Sequence, residues 1–145
     1  LKAGCLEKDF VFIPINRSLH WFLAIVTPWH ILILDSLTWD IEIRRSEFEY
    51  ISRYLEYMSK KHCTIDRKER SNQILKVPQQ QPYSNNCAIH VSLFIKHFLK
   101  DIDKYEKFPE AYIDEIHEWF SGEDATKERQ HWHRTLHTLF TLHTR

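Results

Sequence analysis

Glycine is almost missing from this chain of 145 residues: there are 2, Gly4 and Gly122. Neither stands in a G-x-G-x-x-G or G-x-x-x-x-G-K pattern, so the loops that cradle nucleotide phosphates are absent and phosphoryl transfer is a poor reading. Cysteine is nearly as scarce. Cys5, Cys63 and Cys87 are too few and too scattered for a disulfide framework, and no C-x-x-C pair suggests a structural zinc site. Net charge is also lacking, since Lys+Arg 20 balance Asp+Glu 20. That balance argues against a nucleic-acid binder working through bulk positive charge and against a polyanionic tail. No apolar run approaches the roughly 18 residues of a membrane-spanning helix, so no membrane partner is expected. Leu1 to Asp9 has no apolar core of the kind a secretory signal carries, which leads to the expectation of an intracellular fragment.

Apolar side chains are plentiful. At 43% hydrophobic and 14% aromatic the chain can build a core, and its length suits a single domain over residues 1–145. Three runs rich in Val, Ile, Phe and Trp come first: Phe10 to Ile15, His20 to Thr27 and His30 to Asp35. Their composition and shortness favour strands. The second and third are almost continuously apolar, as in strands covered on both faces. From Ser46 the spacing of Phe48, Ile51, Leu55 and Met58 is helical, and Ser46-x-x-Glu49 has the form of a capping box, which predicts a helix to about Lys61. Gln73 to Val77 reads as a short strand before Pro78. The turn-forming stretch 79–86 then runs into an apolar helix that starts at Cys87 and that Ser84, Asn85 or Asn86 can cap. Pro109 can open another helical turn ending near Gly122. A last helix from about Asp124 carries Trp132, Leu136, Leu139 and Phe140 on one face. Sheet elements first and helices afterwards indicate an α+β domain.

One cysteine has a setting that suits chemistry. A thiol acts as a nucleophile through its thiolate, and the unpaired N–H groups and dipole of a helix N-terminus favour that form. Cys87 lies in such a first turn, although a buried cysteine there can equally be inert. Cys5 and Cys63 lie in polar contexts with no positioned partner. A thiol protease also needs a base and a group that orients it. His20 begins one central strand and Asp35 ends the next, so antiparallel pairing around Pro28 would set them side by side. A histidine at a strand end can also be an ordinary surface or core residue, and Trp21 beside it can be plain packing. His133 and His137 are spaced i, i+4 as zinc ligands can be, but there is no H-E-x-x-H and the neighbouring charges suggest a solvated face. The Asn16-Arg17-Ser18 sequon stands without a secretory signal and is read as chance.

The strings Pro14-Ile15, Leu19 to Val26, Ile33-Leu34-Asp35-Ser36-Leu37, and Val77-Pro78-Gln79-Gln80 followed by Asn86-Cys87 resemble the SUMO-specific cysteine proteases of the ubiquitin-like-protein protease family. Trp119-Phe120 and the last helix are most similar to its divergent, chain-editing branch. The resemblance implies a papain-like fold with a central sheet and flanking helices. It implies a catalytic set of Cys87, His20 and Asp35, with Gln81, six residues before the cysteine, donating to the oxyanion hole, and Trp21 walling a tunnel for a diglycine tail. The implied activity is hydrolysis after the diglycine of SUMO or a related modifier, by deconjugation or chain trimming. No metal or organic cofactor is needed, SUMO or SUMO-conjugated proteins are the partners, and a monomer in the nucleus or cytoplasm is expected. Two departures stand out. Asn86-Cys87-Ala88 replaces the family's Asp-Cys-Gly, and the chain starts after the family's first helix with its further tunnel Trp, so an N-terminal segment is expected to be missing. A catalytically impaired SUMO-binding or scaffold module is the alternative.

Overall fold

The computed structural model describes residues 10–61, 69–107 and 109–143, so Cys5 and Cys63 lie outside the described residues. The sheet has four strands, β1 (Val11–Arg17), β2 (His20–Val26), β3 (His30–Leu34) and β4 (Ser71–Leu75), in spatial order β1-β2-β3-β4. β1, β2 and β3 pair antiparallel, and β4 joins β3 in parallel. The parallel pairing requires a crossover, and α1 (Arg45–Lys61) provides it. α2 (Cys87–Lys100), α3 (Ile102–Lys107), α4 (Ile113–His117) and α5 (Gly122–His143) complete the fold.

Alternation of side chains along the strands explains why β2 and β3 are apolar throughout. Phe22, Ala24, Ile31 and Ile33 meet Phe48 and Leu55 of α1 on one face. Leu23, Ile25, Leu32 and Leu34 meet Phe94 and Phe98 of α2 on the other, and Trp119 and Phe120 extend that layer. The sheet is thus covered on both sides, and the α+β class expected from the sequence is the one observed.

Several boundaries move for local reasons. The expected capping box at Ser46 does not open α1, which begins at Arg45 directly after a 3-10 turn, Ile41–Arg44. That turn is capped by Asp40, whose side chain accepts from the Glu42 N–H. Ser46 instead accepts from Arg17 at 2.8 Å and donates to Glu47 at 2.9 Å. β4 lies two residues earlier than the expected Gln73 to Val77, and the Pro109 turn is 3-10 in form and passes into the short α4. α3 has the polar sequence IDKYEK and offers no apolar period to read. The β1–β2 hairpin turns in two residues, Ser18 and Leu19, both in the left-handed region with φ 52 and 65. That geometry matches the strand twist but favours Asn-Gly, so a bulky leucine there is held at a cost of roughly 1–2 kcal/mol.

Candidate active site

The antiparallel register pairs Leu23 with Leu34 and Ala24 with Ile33. Carried one step past β3, it sets Asp35 opposite Phe22, and His20 shares the face of Phe22 two residues away. The two side chains accordingly meet: His20 Nε2 lies 2.7 Å from Asp35 Oδ1. Asp35 is fully buried, and the polar partners of its carboxylate among the described residues are donors. Oδ1 also accepts from the Leu37 N–H at 2.8 Å, while Oδ2 accepts from Arg44 Nε at 2.7 Å and Nη2 at 2.6 Å. A carboxylate is acceptor only, so the proton between it and the ring sits on Nε2 and leaves Nδ1 as the basic nitrogen.

Cys87 opens α2 and is half-buried. The segment that delivers it is fastened to the residues beside Asp35. Gln79 Nε2 donates to the Asp35 carbonyl at 2.8 Å, the Gln80 N–H donates to the Ser36 carbonyl at 2.9 Å, and Ser36 Oγ donates to Gln80 Oε1 at 2.8 Å. Gln80 Nε2 then donates to the Ser84 carbonyl at 2.8 Å, three residues before the cysteine. The fold therefore brings His20, Asp35 and the start of α2 to one end of the sheet. No hydrogen bond joins Cys87 to His20 among the described residues; such contacts are commonly long in a free enzyme and close when substrate binds.

Asn86 holds the N-cap position but its side chain makes no cap bond. Its Oδ1 accepts from Arg129 Nη1 of α5 at 2.5 Å, which corrects the expectation of a capping side chain. Its carbonyl accepts from both the His90 N–H at 2.9 Å and His90 Nδ1–H at 3.0 Å. Burial pushes His90 below the ordinary histidine range, and the hydrogen bond to Asn86 offsets part of that shift.

Of the three glutamines, Gln79 and Gln80 have committed amides, whereas the exposed Gln81 has an amide without a hydrogen-bond partner among the described residues. The Gln81 carbonyl accepts from the Ser84 N–H at 3.1 Å across a turn in which Tyr83 takes φ 62. A cavity of about 440 Å³ opens between the glutamines, Asn86 and the first turn of α5. Trp21 is 41% exposed, so core packing does not account for it. His133 and His137 lie on an exposed stretch of α5, and no group of three possible metal ligands occurs among the described residues. Sequence reasoning missed Arg44: a basic residue nine positions after Asp35, beside Arg45, carries no signal that distinguishes it from a solvated helix start.

A cysteine at the N-terminus of a helix packed on the sheet and a histidine–carboxylate pair at a strand end are the parts found in papain-like cysteine proteases. Residues 2–132 match the Ulp1 protease family, C-terminal catalytic domain, and the chain belongs to that family. It is similar to the ubiquitin-like-specific protease 1D of Arabidopsis thaliana, with 28% identity over 94% of this chain and 26% of that protein. Among solved structures it is similar to a de-sumoylating protease, with 29% identity over 90% of this chain and 56% of that one and a TM-score of 0.69. It is also similar to the C-terminal Ulp1 protease domain in complex with Smt3, the yeast orthologue of SUMO, with 25% identity over 83% of this chain and 48% of that one and a TM-score of 0.54. The chain thus spans about a quarter of the curated relative and about half of the solved ones.

Proposed function

We propose that this chain forms the catalytic core of a thiol isopeptidase that cleaves after the C-terminal diglycine of SUMO or a related ubiquitin-like modifier. The observation that carries the reading is the 2.7 Å contact between His20 and the buried Asp35 at the sheet end where α2 begins with Cys87. In this reading His20 Nδ1 takes the thiol proton while Asp35 holds Nε2–H. The thiolate of Cys87 bonds to the carbonyl carbon of the terminal glycine, and the displaced C=O electron pair goes to the carbonyl oxygen. The Cys87 N–H and the Gln81 amide donate to that oxygen. Collapse breaks the C–N bond, and the lysine amine leaves with the proton from His20. A water molecule then gives a proton to Nδ1, attacks the thioester and releases the modifier and the thiol.

Support for Gln81 over its neighbours comes from its free amide, and support for Trp21 as a wall of the diglycine channel comes from its exposure beside His20. Ala88 in place of glycine fits because it lies within the first turn of a helix, where alanine is favoured. A nucleophilic thiol of this kind suits a reducing compartment, in keeping with the nucleus or cytoplasm as its place of action. The packing of the described helices and strands on one sheet supports reading residues 1–145 as one domain.

The test is a SUMO probe ending in a diglycine-type vinyl electrophile. Covalent labelling that disappears in Cys87→Ser is the expected result. Association without a covalent bond, in a chain extended to the length of its solved relatives, would replace the enzyme by a SUMO-binding module.

A further inference from the structure

We propose that Arg44 is a positioning residue that holds the Asp35 carboxylate in the one orientation that serves His20; the inference rests on the isopeptidase reading above. The two carboxylate oxygens offer about four acceptor sites. Here they meet His20 Nε2 and the Leu37 N–H on Oδ1, and Nε and Nη2 of Arg44 on Oδ2. Without Arg44, Oδ2 would be a charged oxygen in a fully buried residue with no other partner among the described residues, and such a group rotates, takes up a proton or draws in water.

Arg44 is itself restrained. Its guanidinium carbon lies 4.1 Å from the ring centroid of Phe22, the residue opposite Asp35 in the extended register. Its Nη1 lies 3.7 Å from Glu47 Oε1, and Glu47 is buried and bound in turn by Arg17 of β1 and by Ser46. Charges of alternating sign therefore run from Asp35 through Arg44 and Glu47 to Arg17, linking the histidine–aspartate pair to α1 and β1. The planar fork on one oxygen and the stacking on Phe22 are features of guanidinium that an ammonium group does not reproduce.

Arg44→Met keeps the aliphatic stem and removes every donor. In the wild-type chain, NMR of the His20 ring should show a downfield Nε2–H proton protected from exchange. Arg44→Met should lose that protection, and Arg44→Lys, which restores a donor and the charge, should recover part of it. On a diglycine-linked fluorogenic SUMO substrate, Arg44→Met should lower kcat by about 10–100-fold with little change in KM. The loss should vanish when Asp35 is already Asn, because a residue acting through Asp35 has nothing further to remove. A protected proton that persists in Arg44→Met, or losses that multiply in the double variant, would overturn the proposal. If a wild-type chain extended to the length of its solved relatives is not labelled and does not turn over, the isopeptidase reading fails. The ring proton still decides Arg44, and a variant that fails to fold leaves Arg44→Lys to carry the comparison.

Discussion

Three adjacent glutamines divide into two structural groups and one with a free amide. Gln79 and Gln80 spend their amides on the Asp35, Val77 and Ser84 carbonyls, while the Gln81 amide remains open beside the start of α2. Gln81→Ala should therefore lower kcat by about 10²–10³ and leave the denaturation midpoint unchanged, as expected for one oxyanion donor. Gln80→Ala should do the reverse in kind, destabilising the fold by about 1–3 kcal/mol because Ser36 and Ser84 lose a partner in a partly buried loop. Steady-state kinetics and urea titration on both variants separate the roles; equal kinetic losses would return the assignment to Gln80. The sequence made this cluster visible but not its division of labour. Nothing in Gln-Gln-Gln says which amide the turn at Pro82 and Tyr83 leaves unbonded. His20 and Asp35 were legible for a better reason, since antiparallel strands joined by a short turn set the start of the first beside the end of the second. Arg44 was not legible, because its partner Asp35 comes from the end of the preceding strand and not from its own helical neighbours.

At the level of elements, α2 carries both the thiol and a histidine that must stay neutral. His90 sits one turn after Cys87, against the rings of Phe94 and Phe120, and donates to the carbonyl of Asn86. Burial lowers its pKa in the fold, whereas in the unfolded chain it protonates at about 6.5. Below that pH the unfolded chain binds the proton that the folded one refuses. The stability gained from burying neutral His90 is therefore complete above about 6.5 and is lost as pH falls toward the depressed folded value. His97, lowered by burial and then by Lys100, adds a loss of the same sign. Glu47 acts at lower pH. Burial alone would raise its carboxyl, but the hydrogen bonds from Arg17 and Ser46 outweigh burial and hold it below the usual range, so it yields only in stronger acid. Urea midpoints should fall between pH 7.5 and about pH 5.5, and the fall should be smaller in His90→Gln; an equal slope in the variant would remove His90 from the account. The strands and α2 were readable because long apolar runs and a helix start leave strong patterns. The 3-10 turn before α1 and the polar α3 were not, because their places are set by the side chains and segments they meet.

For the molecule as a whole, balanced charge and a sequence pI near 7.3 place the least-charged state at neutral pH. Self-repulsion is then weakest, and α5 adds exposed Trp132, Leu136 and Leu142. Solubility should pass through a minimum near pH 7 and rise toward pH 8.5, where the histidine losses described above are also absent; light scattering across that range measures it, and a flat response would put attraction down to the apolar stripe alone. The topology has one more consequence, for the order of assembly. His20, Asp35 and Arg44 lie within twenty-five residues of one another, whereas the segment ahead of Cys87 reaches Asp35 only across the α1–β4 crossover. Contacts close in sequence form sooner than distant ones. On a growing polypeptide the imidazole and its carboxylate can dock while the sulfur has yet to leave the ribosome, so the reactive atom joins a site whose acid–base half is already set.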